Sequence, residues 1–433
     1  MQRTIMKDLI SWKNSTRRKP LILRGARQVG KTWILKEFGE SQFSDLAYVH
    51  LEDNAAMRLL FDGSLEPRRL LDGLAAYVGK SIDKNTLIVL DEVQAVPRAL
   101  TALKYFCEDM PEQPIAVAGS LLGVAFHSGI SFPVGKVDFL DLYPMTFAEF
   151  LVALDHEVLS EAISSANIDT LSIFTEQLTD LLKQYTYIGG MPEAVLEYSE
   201  TKNLNRVRFI QQAIVTAYEA DFSKHAPKDV AERCRQVWQS APTQLAKANK
   251  KFTYGAIRQG GRGRDYEGAI QFLADSGLIT RVWRITKPGI PLEAYKDTAA
   301  YKLFLVDIGL LGAMSNLDSM SIIDGNTLFE EFKGAIAEQL VAQELRAQCG
   351  YNLYYWSAEK SSGEIDFIFQ NNGQIFPTEV KAAENLRSKS LASFCQKYGL
   401  NTGVRLSLSG FKSESWMQNV PLYAIGSLPV LLS

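Results

Sequence analysis

Short apolar runs bounded by polar or glycine positions dominate the first part of the chain. Leu21-Ile22-Leu23, Ala47 to Leu51, Thr86 to Leu90 and Ile115-Ala116-Val117-Ala118 are such runs. Unbroken stretches such as Leu87-Ile88-Val89-Leu90 read as strands buried on both faces, as in a parallel sheet. An amphipathic segment, Arg3 to Lys13, precedes them, and Pro20 stops any helix before the first strand. Beyond Leu151 the period lengthens to that of a helix. Asp169 to Tyr187 and Leu204 to Tyr218 predict helices, with Gly189-Gly190-Met191-Pro192 between them. Helices near Asp229 to Ser240 and Asp265 to Ser276 then lead into a strand, Arg281 to Ile285, and the turn Lys287-Pro288-Gly289. The last part reads as a helix, Phe329 to Cys349, then strands Asn352 to Trp356, Ile365 to Phe369 and Ile375 to Lys381, a helix Lys389 to Tyr398 and a strand Gly403 to Leu408. The turn Asn371-Asn372-Gly373 makes a hairpin of the second and third strands.

The first strand runs straight into Gly25-Ala26-Arg27-Gln28-Val29-Gly30-Lys31-Thr32 and then a helical pattern. G-x-x-x-x-G-K-[ST] between strand and helix implies a triphosphate site. Gly25 and Gly30 keep side chains away from the phosphates, and the helix adds its positive N-terminal end. Lys31 would reach the β- and γ-phosphates and the Thr32 hydroxyl would ligate Mg²⁺. The strand Thr86 to Leu90 ends in Asp91-Glu92. Asp91 could hold Mg²⁺ through water, and Glu92 could polarise the attacking water. Ser120, just past the fourth strand, could hydrogen-bond the γ-phosphate or the water, or be an ordinary turn serine.

Length changes the picture first: 433 residues exceed one core, so two to four domains are expected. A net charge of −3 gives no global attraction to nucleic acid, so any such affinity must be local. The longest apolar run, Ile115 to Phe126, is interrupted at Gly119, Ser120 and Gly123 and is too short for a bilayer. Lys7 and Asp8 stand where a signal peptide needs apolar residues, and a cytoplasmic setting without a membrane partner is expected. Cys107, Cys234, Cys349 and Cys395 are scattered, which suggests neither a disulfide framework nor a zinc site.

Charge is concentrated in one place. From Pro242 to Arg264 no acid occurs, while Lys247, Lys250, Lys251, Arg258, Arg262 and Arg264 are interleaved with Phe252 and Tyr254. Helices followed by a two-stranded wing are the plan of a winged helix, so these cations are candidates for contact with DNA phosphates. A solvated or inter-domain surface, or a protein-docking module, is the alternative. In the last part Asp366 and Glu379 fall on the two arms of the hairpin, and Glu379 and Lys381 leave the same face of their strand.

These motifs, with Leu90-Asp91-Glu92-Val93-Gln94, Ala118-Gly119-Ser120, Leu142 to Phe150 and Gly189-Gly190-Met191-Pro192, resemble the prokaryotic AAA-type ATPases that carry a C-terminal domain of undefined function, DUF4143. The resemblance runs over essentially the whole chain. It implies a P-loop α/β core at 1–150, a helical lid at 151–224, a winged helix at 225–324 and, at 325–433, a DUF4143 domain related to the PD-(D/E)xK nuclease-like fold. ATP would be bound and hydrolysed, with Ser120 as the polar residue ending the strand between the phosphate-loop strand and the acidic strand. At the nuclease-like set, Asp366 and Glu379 with the Val380 carbonyl would hold Mg²⁺ or Mn²⁺. Lys381 would steady the attacking water or the phosphorus, Glu338 would assist, and Glu364 would be a spare acid. The same residues would otherwise form an ion-pair cluster in an inactive descendant. Relatives often assemble into rings, so a homo-oligomer is an option. Where the family often has Arg this chain has Gly135-Lys136, and a lysine there offers a point charge without a planar fork.

Overall fold

The computed structural model describes residues 1–120, 133–247, 250–319, 330–358, 363–382 and 388–433. The end of the apolar run at 121–126, the expected boundary at 324/325 and the helix start at Phe329 lie outside them. Two compact units are formed, one from Gln2–Tyr143 with Asp275–Leu278, the other from Pro144–Ala274 with Ile279–Ser433.

In the first unit the apolar runs become β1 (Leu21–Arg24), β2 (Asp45–His50), β3 (Thr86–Asp91) and β4 (Ile115–Ala118), in a sheet of order β2-β3-β4-β1-β5. All its pairings are parallel. β3 and β4 are buried along their whole length because helices cover both faces of a parallel sheet. The strand β5 (Asp138–Asp141) escapes a reading based on apolar runs. Asp138-Phe139-Leu140-Asp141 sits at the sheet edge with alternate residues exposed, so no continuous apolar signal marks it. Helix Pro67–Val78 shows the local chemistry that sets helix ends. The Glu66 carboxylate accepts from the Arg68 and Arg69 amides, Pro67 opens the helix, and Gly79 closes it in a left-handed turn with φ 73°.

The second unit begins with helices and ends in a sheet. The single helix expected over Asp169 to Tyr187 is two, Ile168–Ile173 and Thr175–Ile188. The break follows from Thr175, whose hydroxyl donates to the Leu171 and Ser172 carbonyls and caps the first helix, while Phe174 leaves helical geometry. Leu204 continues to His225. At the Gly-Gly element the Gly190 amide donates to Asp307 Oδ2 at 2.6 Å and the Met145 amide donates to the Gly190 carbonyl at 2.6 Å. A Cβ on Gly190 would lie 2.0 Å from the Met145 carbonyl oxygen, so this pair of glycines serves a close backbone crossing. Pro192 opens helix Pro192–Thr201.

Helices Lys228–Leu245 and Gly263–Asp275 precede the antiparallel hairpin of β6 (Ile279–Ile285) and β7 (Lys296–Leu305). That hairpin is not free-standing. β6 pairs in parallel with β8 (Tyr354–Ser357), which places it at the edge of an eight-stranded sheet of order β12-β13-β11-β10-β9-β8-β6-β7. Within this sheet β8, β9 (Glu364–Asn371) and β10 (Gln374–Lys381) form an antiparallel meander. Helix Lys389–Tyr398 then leads to β11 (Gly403–Ser407), parallel to β10, and β12 (Lys412–Ser413) and β13 (Met417–Pro421) complete the edge. Ile365, Ile368, Leu391 and Phe394 are among the residues packed between the sheet and helix Lys389–Tyr398.

Candidate functional site

β1 delivers the chain into a turn that only a few backbones can follow. Gln28 and Gly30 both take left-handed geometry, φ 61° and 97°, before helix Lys31–Gln42 begins. A Cβ on Gly25 would strike the Leu142 carbonyl oxygen at 2.3 Å. Arg3 braces the turn, one guanidinium nitrogen donating to the Val29 carbonyl at 3.0 Å and another to the Tyr143 carbonyl at 2.6 Å. Ala26 and Val29 are buried beneath it and Arg27 is half-buried.

The Lys31 ammonium is buried and folded onto its own loop, donating to the Gly25 and Ala26 carbonyls at 2.9 and 2.7 Å. Burial pulls its pKa down to about 8, against the opposing pull of Glu92 and Asp91. Across from it the Thr32 hydroxyl donates to Asp91 Oδ2 at 2.6 Å, and the Tyr48 hydroxyl donates to the same oxygen at 2.9 Å. The Glu92 amide donates to Asp91 Oδ1 at 3.0 Å. Burial, then the Asp91 charge, pushes the Tyr48 phenol upward. Glu92 itself holds a left-handed backbone, φ 52°, a costly geometry at a non-glycine residue, and its carboxylate is bonded by Gln94. Ser120 Oγ is buried and has no hydrogen-bond partner among the described residues. A triphosphate with its metal fits this donor set: a lysine to meet phosphate oxygens, a hydroxyl and a carboxylate to face Mg²⁺, and an orphaned hydroxyl at the end of β4.

In the second unit Glu338, on helix Glu330–Ala347, and Glu364 and Asp366, on β9, converge on Lys302 of β7. Lys302 has no exposed surface. Its Nζ lies 3.3 Å from Glu338 Oε2 and 3.9 Å from Asp366 Oδ1, and it is ion-paired with Glu364. Lys250 pairs with the other oxygen of Glu338. Burial lowers the Lys302 pKa, but the carboxylates around it more than offset that and leave it raised. Burial raises Glu338, and Lys302 with Lys250 reverse it, leaving its pKa lowered. Asp366 is pushed up to about 7 by burial and by Glu338, while its Oδ2 accepts from the Val380 amide at 2.8 Å. Glu379 Oε1 is 2.7 Å from Lys381 Nζ, and its other oxygen is buried without a hydrogen bond.

The two carboxylates expected to hold Mg²⁺ or Mn²⁺, Asp366 and Glu379, each face a lysine in the described structure. Among the described residues no group of three or more His, Cys, Asp or Glu is set to hold a metal ion. Asp366 is engaged by Lys302 and the Val380 amide, and Glu379 by Lys381.

The basic stretch divides in two. Lys250 is turned inward to Glu338, Lys247 donates to the Thr253 hydroxyl at 2.7 Å, and Lys251 is half-buried. Arg258, Arg262 and Arg264 are exposed, Arg264 lying 3.8 Å from Asp265. Phe252 stacks on Tyr301 with centroids 5.3 Å apart, and Tyr254 on Tyr266 at 6.3 Å, so the interleaved aromatics serve internal packing. Lys136 is paired with Glu108 at 3.0 Å.

Comparison with known proteins accords with the first-unit geometry. Residues 17–151 match the model of an AAA domain family, and residues 333–425 match that of DUF4143. The chain is thus similar to AAA domains over its first third and to DUF4143 domains near its end. Between them, residues 179–321 match a further domain of unknown function, DUF8612. Among curated proteins none matches the chain significantly. Solved structures similar to it include the Walker-type ATPase PABY2304 of Pyrococcus abyssi, 14% identical with TM-score 0.45, covering 72% of this chain and 95% of that one. The Thermotoga maritima RuvB Holliday junction branch migration motor is 12% identical with TM-score 0.29, at 65% and 90% coverage. Cdc6p from Pyrobaculum aerophilum is 12% identical with TM-score 0.27, at 74% and 96% coverage. No helix among the described residues is long and apolar enough to cross a membrane.

Two residues of these clusters were not singled out from the sequence. Tyr48 lies inside the second apolar run, where an aromatic reads as core, and only the fold brings its hydroxyl to Asp91. Lys302 sits in a strand between hydrophobic neighbours with no local signal. Its meaning comes from acids 36 and more residues away.

Proposed function

We propose that the protein is an ATP-hydrolysing switch whose nucleotide state governs its hold on DNA. The observation that supports it most is the hydrogen bond from Thr32 to Asp91, which aligns the phosphate-loop hydroxyl with the acid ending β3 beside Glu92. On this reading Lys31 leaves the Gly25 and Ala26 carbonyls for the β- and γ-phosphate oxygens, and its loop amides take the phosphates. Thr32 and Asp91 would hold Mg²⁺, which when bound neutralises charge on the phosphates. Glu92 orients the attacking water and receives its proton, and the free Ser120 hydroxyl donates to the γ-phosphate.

DNA would be met by phosphate contacts from the exposed Arg258, Arg262 and Arg264, with Lys247 and Lys251 of the same basic stretch. Lys250 is committed to Glu338, and the three exposed arginines alone would give a log-log salt slope of roughly −2.7.

The test has two arms. ATP turnover should vanish in Lys31→Ala, and Glu92→Gln should hold ATP without hydrolysing it; unchanged turnover in both removes the ATPase reading. Duplex binding should differ between the ATP-loaded Glu92→Gln protein and the ADP form, and should fall in Arg258→Ala with Arg262→Ala. Binding indifferent to salt and to those arginines would favour a protein partner for the same face instead.

A further inference from the structure

Three carboxylates carried by a helix and a strand, Glu338, Glu364 and Asp366, face one point; they are the oxygen type that a divalent cation takes, though as arranged around Lys302 they are not set to hold one. That point is already filled. Lys302 reaches it from β7 with its whole side chain buried, and its ammonium also lies 5.1 Å from the centre of the Tyr355 ring. A buried ammonium persists only where paired anions repay its loss of water, and acids gathered this closely persist only with a cation among them. Further oxygens are engaged as well: Glu338 Oε1 by Lys250, Asp366 Oδ2 by the Val380 amide and Glu379 Oε1 by Lys381, while Glu379 Oε2 has no hydrogen bond among the described residues.

We propose that the Lys302 ammonium is a built-in counter-cation standing in the place of a divalent metal. The DUF4143 domain of this chain then takes no Mg²⁺ or Mn²⁺ at the cluster and does not cut phosphodiesters through it. Mg²⁺ requires near-octahedral oxygens at about 2.1 Å, and the Lys302 ammonium, which has no exposed surface, already stands among the three acids. Lys250, the second cation at Glu338, is thereby a structural residue of the cluster rather than a DNA contact. The inference does not depend on the ATPase reading, because its ligands lie wholly within the second unit.

The test uses the full-length, nucleotide-free chain and Mn²⁺ alone, followed by titration calorimetry and by thermal unfolding. Wild type and Asp366→Asn should bind Mn²⁺ alike. Lys302→Met, which keeps the stem and removes the charge, should gain a Mn²⁺ site. Its unfolding midpoint should rise by about 4 °C or more at saturating Mn²⁺, and the added Asp366→Asn should cancel the rise. Mn²⁺ binding by wild type that Asp366→Asn abolishes would overturn the proposal. So would metal-dependent DNA cleavage lost in the same variant, or a folded Lys302→Met that takes up no Mn²⁺. If Lys302→Met does not fold, the comparison of wild type with Asp366→Asn decides.

Discussion

Lys31 illustrates how one side chain carries two states. Without a triphosphate its charge is supported by two loop carbonyls and the more distant Asp91 and Glu92, too little to cancel the cost of burial, so its pKa falls to about 8. Phosphate oxygens favour the charged form strongly, so nucleotide binding must return the proton wherever it has been lost. Below pH 8 the lysine is already protonated and ATP affinity should be flat on this account. Above pH 8 each further unit should cost up to about tenfold in affinity, with one proton taken up per ATP bound. Calorimetry from pH 7 to 9.5 in buffers of differing ionisation enthalpy measures both quantities, and a profile flat to pH 9.5 would refute the coupling. The eight-residue turn was legible in the sequence because all its requirements are local: two glycines, a lysine and a hydroxyl between strand and helix. Tyr48 and Lys302 were not, since the partners that give them meaning are 43 and 36 or more residues distant.

Helix Glu330–Ala347 shows what periodicity can and cannot reveal. Its existence follows from its composition, yet Glu338, Gln339, Gln343 and Glu344 are all buried, which reverses the usual assignment of polar residues to the wet face. Glu338 holds two lysines, and the other three bond backbone groups. Gln339 exchanges two hydrogen bonds with Leu305, Gln343 accepts from the Ile308 amide, and Glu344 accepts from the Phe147 amide and the Tyr185 hydroxyl. Nothing in a hydropathy pattern announces a helix that is buried on its polar and apolar sides alike over 335–345. Burial raises Glu344 from 4.5 to about 8, the more so because Glu149 and Asp307 add negative charge nearby. The folded chain therefore holds a proton that the unfolded chain releases between about pH 4.5 and 8. The stability this confers is complete below pH 4.5 and is lost as pH rises through 8, at up to about 1.4 kcal/mol per unit. Glu344→Gln keeps an acceptor for Tyr185 and Phe147 and cannot ionise. Denaturant unfolding of the two proteins should diverge steadily from pH 5 to 8 in favour of the glutamine variant, and parallel curves would contradict the assignment.

At the scale of the molecule, the second unit is bound together by a sheet that ignores the boundaries of the family models. DUF4143 matches residues 333–425, whereas the sheet begins at β6 and β7, which fall within the 179–321 match to DUF8612. A sequence reading divides the chain there because a hairpin after two helices looks complete as a wing, and only the parallel pairing of Trp283 with Tyr354 and Arg284 with Tyr355 shows otherwise. Cutting the chain at 324/325 would have definite consequences. A fragment of 325–433 would leave one side of β8 without its strand partner, an open edge prone to pair with other chains. It would also leave Glu338, Glu364 and Asp366 together without Lys302 or Lys250. Either change alone is destabilising, the second because three neighbouring acids lose the cations that offset their mutual repulsion. The fragment 325–433 is therefore expected to be insoluble or to unfold without a cooperative transition, while 144–433 should unfold cooperatively. Circular dichroism melts of both fragments measure this. A soluble 325–433 with a sharp transition would mean that β6 and β7 are an accessory to the sheet and not part of its core.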